Sequence, residues 1–330
     1  MASQKTLTEQ IRSQLSILLP NQVARVLDRL PDPKLALLQE VRLRVGRPVA
    51  LRFADGEWFL SSSGALLAHP PDNAALSKAE LEMVLDRASR SSLYAYEEEL
   101  RRGYLTLPGG HRLGLVGRAV LQGESLVTQR DLEGANLRVA REIVGCSRPL
   151  LASLMVGELP ATTLLLSPPG AGKTTLLRDL VRAFSTGESV PQQTGGYQVG
   201  LCDERSEVAG LVEGIPQFDV GPRTDILDGC PKREGIPLLL RAMGPQVIAC
   251  DEIGGADDVE ALQEAARAGV SVFATAHARD LVQLRQRPAL RSLIEERYFD
   301  RYIVLSCRRG VGTIENITDA EGHPLVWTMR

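Results

Sequence analysis

Between residues 7 and 30, hydrophobic positions recur at helical spacing, with Ile11, Leu15, Leu18 and Leu19 on one face. Pro20-Asn21 breaks this stretch into two short helices. From Glu40 the period changes to two. Glu40-Val41-Arg42-Leu43-Arg44-Val45 alternates, Gly46-Arg47-Pro48 turns, and the strand resumes over 49–53. Asp55-Gly56 ahead of the apolar run 57–60 predicts a hairpin. Ser77, with Glu80 three residues on, forms a capping box for a helix over 78–89. A second helix is expected over 93–102, a glycine-punctuated strand region over 104–120, and a further strand over 136–141. This half reads as a small mixed α/β domain, expected to span 1–145.

The second half has a different pattern. Apolar, strand-like runs recur at 162–167, 199–202, 247–250, 270–275 and 302–306, with helical patterns at 174–185, 234–243 and 257–268. Buried strands alternating with helices predict a mainly parallel sheet covered on both faces, in a second domain over 146–330. Gln192–Gly196 reads as a mobile loop, and Gly312–Trp327 as a polar hairpin around Asp319-Ala320-Glu321-Gly322. The glycine and proline of Gly145–Pro149 mark the expected hinge between the domains.

Composition narrows the class. The chain has 330 residues, 44% hydrophobic and 24% charged, which fits a two-domain globular protein and excludes a disordered or collagen-like chain. A net charge of −3 and 4% aromatic content supply neither a basic stripe nor stacking rings, so no nucleic-acid partner is expected. The five cysteines are odd in number and form no CxxC pair, so they read as free, buried thiols in a reducing compartment. The polar N-terminus lacks the apolar core of a signal peptide, and no apolar run reaches membrane-span length. The expected location is the cytoplasm, without direct membrane insertion.

The strongest chemical signal is Leu164-Leu165-Leu166-Ser167-Pro168-Pro169-Gly170-Ala171-Gly172-Lys173-Thr174-Thr175. A buried strand enters a glycine-containing loop and leaves through Gly-Lys-Thr into an amphipathic helix. Phosphate oxygens need backbone N–H donors, and a helix N-terminus supplies them with a favourable dipole. Residues 167–175 are therefore the expected ATP-binding loop. Lys173 reaches toward the β and γ phosphates, and Thr174 toward Mg²⁺. Ser167 stands where the consensus pattern has its first glycine. Roughly 75 residues on, the apolar strand Gln246–Cys250 ends in Asp251-Glu252. Charges at a buried strand end call for a cation or ligand. Asp251 is the expected Mg²⁺ ligand, and Glu252 the group that orients and activates the attacking water. Asp203 and Glu204, after the run 199–202, are expected to support metal and water respectively. His277, just past the run 270–275, is placed as a sensor of the γ phosphate.

Taken together, 167–180, Asp203-Glu204-Arg205-Ser206-Glu207-Val208-Ala209-Gly210, Asp251-Glu252-Ile253-Gly254 and Ala274-Thr275-Ala276-His277-Ala278 resemble the stage III sporulation AA family. That family is related to the secretion and pilus-retraction ATPases. The first half carries the likeness too, in 40–48, 92–100, 103–112 and 136–142. The resemblance implies a hexameric ATPase with an N-terminal domain and a RecA-like domain. It implies ATP and Mg²⁺ as cofactors and a role in powering a secretion-like channel between mother cell and forespore. It also implies recruitment to the membrane by an integral-membrane platform protein.

The sequence departs from the wider secretion-ATPase pattern, Gly-Glu then an apolar residue and arginine: Asp251-Glu252-Ile253 is followed by Gly254, so that arginine's contact must be absent or come from elsewhere. It also lacks the four-cysteine metal insert of the larger enzymes. Ring ATPases often place an arginine against the neighbouring subunit's γ phosphate. The candidates are Arg138 and Arg141, expected on one strand, then Arg42, Arg44 and Arg223. The competing functions are a nucleic-acid-dependent RecA-like motor and a nucleotide-binding scaffold with little turnover.

Overall fold

The computed structural model describes residues 2–90, 97–188 and 195–325. The expected loop at 192–196 and the start of the expected helix at 93–102 fall mainly or partly outside these residues. The chain divides into two compact units, Met1–Arg141 and Glu142–Arg330.

In the first unit, α1 (Ala2–Leu18) and α2 (Asn21–Arg29) are separated at Pro20, which lacks the N–H an uninterrupted helix would use. A one-turn helix, α3 (Asp32–Leu35), follows. Seven strands form an antiparallel sheet in the order β4-β3-β2-β1-β7-β6-β5. They are β1 (Leu38–Arg44), β2 (Ala50–Phe53), β3 (Gly56–Leu60), β4 (Leu66–Leu67), β5 (Tyr104–Thr106), β6 (Arg112–Gln122) and β7 (Ser125–Arg138). The Asp55-Gly56 turn joins β2 to β3 in the expected register, Phe53 facing Gly56. The capping box of α4 (Lys78–Ala88) forms as read: Ser77 Oγ accepts from the Glu80 N–H, and Glu80 accepts from the Ser77 N–H. A short helix, α5 (Glu97–Arg102), leads into β5. Ile11, Leu15 and Leu19 of the N-terminal stripe are all buried in one core with Leu38, Val41, Leu43 and Leu137.

The strand expected at 136–141 begins earlier and ends sooner. β7 starts at Ser125 and stops at Arg138, because β6 and β7 pair as one long hairpin from Gln122–Ser125 inward.

The second unit opens with two short hairpin strands, β8 (Met155–Val156) and β9 (Leu159–Pro160). Its main sheet has the order β14-β11-β15-β16-β10-β17-β18. The first six strands are parallel: β14 (Thr224–Asp228), β11 (Val199–Asp203), β15 (Val247–Glu252), β16 (Ser271–His277), β10 (Thr163–Ser167) and β17 (Arg301–Ser306). β18 (Thr313–Thr318) closes the edge antiparallel to β17. A minor hairpin joins β12 (Leu211–Val212) to β13 (Ile215–Pro216). The helices are α6 (Lys173–Thr186), α7 (Lys232–Met243), α8 (Ala256–Arg267), α9 (Leu281–Arg285) and α10 (Pro288–Glu295). Separate hydrophobic clusters line the two sheet faces, Leu165 and Phe273 on one, Leu164 and Ala274 on the other. That is the covered, mainly parallel sheet that the apolar runs predict.

The C-terminal hairpin forms as far as the described residues reach. The turn at 319–322 exists, with the Asp319 N–H donating to His323 O, and the Thr318–Pro324 bridge follows, with the Leu325 N–H donating to Ile317 O at 2.8 Å; the far end of the expected range lies outside the described residues. β18 also pairs with β17 along its other edge, where Ile317 is fully buried.

The expected hinge also differs. Gly145 N–H and Ser147 N–H donate to the Asp179 carboxylate of α6 at 2.8 and 2.7 Å, joined by Ser147 Oγ at 2.7 Å. Glu142 accepts from the Asp219 N–H at 2.6 Å. Residues 142–147 are thus held by the second unit, and the division falls after Arg141 rather than after Gly145.

Candidate active site

The carboxyl ends of the parallel strands carry the predicted chemistry at one edge, the usual ligand-binding edge of such sheets. β10 ends at Ser167, fully buried, and the chain turns through Pro168-Pro169-Gly170-Ala171-Gly172 into α6. Gly170 and Gly172 take φ of 75° and 92°, in the left-handed region that β-carbon-bearing residues avoid. A β-carbon at Gly172 would lie 3.2 Å from Val311 and 3.3 Å from the Gly312 nitrogen, so the β17–β18 loop also requires glycine there. Ser167, at the departure from consensus, needs no glycine conformation, since it has no positive φ.

Lys173, the first residue of α6, folds its side chain back over the loop. Its ammonium donates to Ser167 O at 3.0 Å, Ser167 Oγ at 3.1 Å and His277 Nδ1 at 2.7 Å. Burial lowers its pKa to about 8; the Glu252 charge opposes this and Arg287 adds to it. Thr174 and Thr175 follow on the exposed side of the first turn, half-buried.

His277 ends β16 directly opposite Ser167 in the register. Because Nδ1 accepts from Lys173, Nε2 carries the ring hydrogen, and it lies 3.0 Å from Glu252 Oε2. Lys173, His277 and Glu252 therefore form one connected row. Glu252 comes within reach through an irregularity in its strand. Between Ala249 and Glu252, β15 carries one residue more than β16 opposes, a bulge that re-aims the two acids at the strand end.

Asp251 is buried, and burial raises its pKa to about 6; Lys232 opposes this, while Asp203 and Glu204 add to it. Lys232 Nζ lies 2.7 Å from Asp251 Oδ1, at ion-pair distance without hydrogen-bond geometry, and Asp251 Oδ2 has no hydrogen-bond partner among the described residues. A buried carboxylate oxygen with an open lone pair fits a hard divalent cation.

This chain matches the family described as "Sporulation stage III, protein AA" over residues 9–325. It is 41% identical over 315 residues to stage III sporulation protein AA of Bacillus subtilis, covering 95% of this chain and 97% of that one. The chain belongs to this family. It is also 24% identical over 259 residues to the Arabidopsis thaliana protein SEEDLING PLASTID DEVELOPMENT 1, covering 78% of this chain and 32% of that protein. Among solved structures it is similar to the Legionella pneumophila ATPase DotB, with a TM-score of 0.53 at 15% identity over 86% of this chain and 76% of that one. It is similar to the pilus retraction motor PilT, with a TM-score of 0.52 at 16% identity over 81% of this chain and 73% of that one. The fold is the P-loop secretion-ATPase fold.

The other sequence candidates fare differently. Asp203 is fully buried and its carboxylate is occupied by its own loop. Oδ1 accepts from the Glu207 N–H at 2.9 Å and Oδ2 from the Ala209 N–H at 2.8 Å, while the Val208 N–H reaches both. With three backbone donors on two oxygens it staples its own loop, whereas its expectation was a place among the metal ligands. Glu204 is part-exposed and its Oε2 accepts from Lys232 at 2.5 Å.

Two of the candidate arginines for a neighbouring subunit are engaged inside their own unit. Arg141 lies past the end of β7, and its guanidinium donates to Leu38 O at 2.5 Å. Arg223 donates to Ser185 O at 2.9 Å. Backbone carbonyls hold both within the single chain. Arg42 pairs with Glu40 at 2.7 Å, Arg44 is half-buried at the end of β1, and Arg138 stays 62% exposed at 3.9 Å from Glu40. The cysteines are all free, with Cys202 and Cys250 buried as expected but Cys307 exposed, its thiol over the Gly170 carbonyl at 3.7 Å.

Three residues of this edge carry no role in the sequence reading: Lys232, Arg205 and Arg178. Arg205 Nη1 lies 3.7 Å from Glu252 Oε2, a cation beside the second acid in a chain that has Gly254 where the wider pattern has arginine. Arg178 of α6 donates to Val208 O at 2.6 Å and Glu207 O at 2.7 Å and stacks over Phe218. The available signal was compositional. Lysine is scarce here, five residues against 33 arginines, and two of the five stand at this edge.

Proposed function

We propose that the chain is an ATP-hydrolysing motor. The observation that carries this is the convergence of Lys173, Asp251, Glu252 and His277 at the ends of three neighbouring parallel strands, around a helix N-terminus with glycines at its left-handed positions. Backbone N–H groups of 170–175 and the Lys173 ammonium bind the phosphates. Asp251 and Thr174 would hold Mg²⁺, which would supply charge neutralisation on the phosphates. Glu252 accepts the proton of the attacking water, and His277 orients it through the Nε2–H. The row from Lys173 through His277 to Glu252 supports Glu252 as the base.

The active assembly in this reading is a hexamer that drives a secretion-like channel between mother cell and forespore. The relationship to stage III sporulation protein AA supports this, as does the fold shared with DotB and PilT. No described helix is long and apolar enough to cross a membrane, which fits recruitment by an integral-membrane platform protein from the cytoplasmic side.

Two substitutions test the site. Lys173→Ala loses binding of a fluorescent ATP analogue. Glu252→Gln keeps binding but hydrolyses ATP roughly 100-fold slower, the scale of a lost acid–base group. Near-normal turnover in Glu252→Gln would move the base to Glu204.

A further inference from the structure

Lys232 is the most buried cation at this edge after its own fashion: its side chain is 4% exposed, yet its ammonium touches two acids from different elements. It reaches Glu204 Oε2 at 2.5 Å, on the loop after β11, and Asp251 Oδ1 at 2.7 Å, on β15. Burial works against its charge, but Asp251 and Glu204 outweigh that and hold it above the ordinary lysine range. It gets there because α7 packs unusually close to the sheet. Lys232 and Gly235 share a helix face, and a β-carbon at Gly235 would lie 2.7 Å from Cys202 Sγ of β11. Only a glycine at 235 lets the first turn of α7 sit low enough for Lys232 to enter between the strand ends.

The loop that Lys232 grips is otherwise held from its far side. Asp203 takes the N–H groups of 207–209, Arg178 takes the carbonyls of 207 and 208, and Ser206 Oγ donates to Asp228 at 2.6 Å. Glu204 and Arg205 are the two residues between these fixings and the end of β11. Glu204 goes to Lys232, and the next side chain, Arg205, lies beside Glu252.

We propose that Lys232 is a positioning residue for hydrolysis: by clamping Glu204 against Asp251 it sets the start of the 204–209 loop, and so places Arg205 beside Glu252. Two acids, buried Asp251 and part-exposed Glu204, held 2.7 and 2.5 Å from one buried ammonium cannot move independently, so the loop and the Asp251 strand end behave as one piece. The catalytic half of this inference rests on the ATPase reading above; the clamp itself does not.

The test uses the full chain and two ways of opening the clamp. Lys232→Met removes the ammonium at similar length. Glu204→Gln opens the clamp from its half-exposed side without leaving a lone buried charge, and so serves if Lys232→Met does not fold. In either variant, kcat for ATP falls by roughly tenfold or more, while the Kd for a fluorescent ATP analogue with Mg²⁺ stays within about threefold. Without nucleotide, amide hydrogen exchange over 204–209 speeds up by about tenfold, whereas Arg205→Ala leaves it unchanged. Because Arg205 acts downstream of the clamp, the double variant Glu204→Gln/Arg205→Ala has the kcat of the slower single variant. Multiplying effects would overturn the inference, as would exchange over 204–209 at the wild-type rate in the folded variants. If the wild-type chain hydrolyses no ATP, the ATPase reading fails, and the exchange measurement alone decides the clamp.

Discussion

Asp203 and Asp251 end neighbouring strands and look alike in sequence, each the first acid of an Asp-Glu pair. Their surroundings separate them. Asp203 meets three backbone N–H groups of its own loop, while Asp251 meets one lysine and keeps an open oxygen. Hydrogen bonds to a buried carboxylate contribute more than neutral ones, so Asp203→Asn, which puts an amide N–H₂ among donors, should destabilise the folded chain by about 2–3 kcal/mol. Urea unfolding followed by circular dichroism measures this. A metal-ligand role for Asp203 would instead leave stability untouched and raise the Mg²⁺ requirement. The same comparison separates Glu204 from Glu252: one meets Lys232, the other faces His277 and Arg205.

At the scale of elements, α1 is tied to the sheet of its own unit through a histidine that carries no chemistry. His111, just before β6, accepts the Ala140 N–H on Nδ1 at 3.0 Å, so its Nε2–H donates to Gln14 Oε1 of α1 at 2.9 Å. Burial depresses its pKa from 6.5 to about 4. The neutral ring is thus the native form. Between pH 6.5 and 4 the unfolded chain binds the proton that the folded one refuses, so stability from this group is complete above 6.5 and is lost as pH falls toward 4. The loss approaches about 3 kcal/mol, the free-energy equivalent of that shift. His111→Gln should therefore unfold more easily than the parent at pH 7, and the gap should narrow toward pH 4. Fluorescence of Trp58 in a Trp327→Phe background follows the first unit alone during urea unfolding. A gap that stayed constant across this range would exclude the buried neutral histidine.

At the scale of the whole molecule, a shared active site in a ring requires an arginine free to face a neighbour. Arg141 and Arg223 are spent on carbonyls of their own units, and Arg42 on Glu40. Arg138 remains the best-exposed candidate. Mixing an Arg138→Ala chain with a Lys173→Ala chain should restore ATPase activity above that of either alone, because some subunit junctions then combine an intact loop with an intact arginine. Absence of any recovery on mixing would count against a site shared through Arg138.

Much of this molecule is local in origin, and so legible along the chain. The capping box at Ser77, the Asp55-Gly56 hairpin, the break at Pro20 and the strand–loop–helix over 164–185 each depend on residues a few positions apart, whose propensities agree with the final fold. The runs that alternate with helices likewise carry the burial of a parallel sheet in their own composition. What the sequence could not decide was which partner each polar side chain would meet. Lys232 and Glu204 are 28 residues apart, and Lys173 and His277 are 104 apart. The extra residue that turns Asp251 and Glu252 toward them appears only when β15 is laid against β16. The end of β7 at Arg138 and the place of β18 beside β17 were settled the same way, by pairing across the sheet. Pattern along the chain selects the elements, but the chemistry of this edge depends on contacts between strand ends, and those exist only once the sheet has ordered its strands.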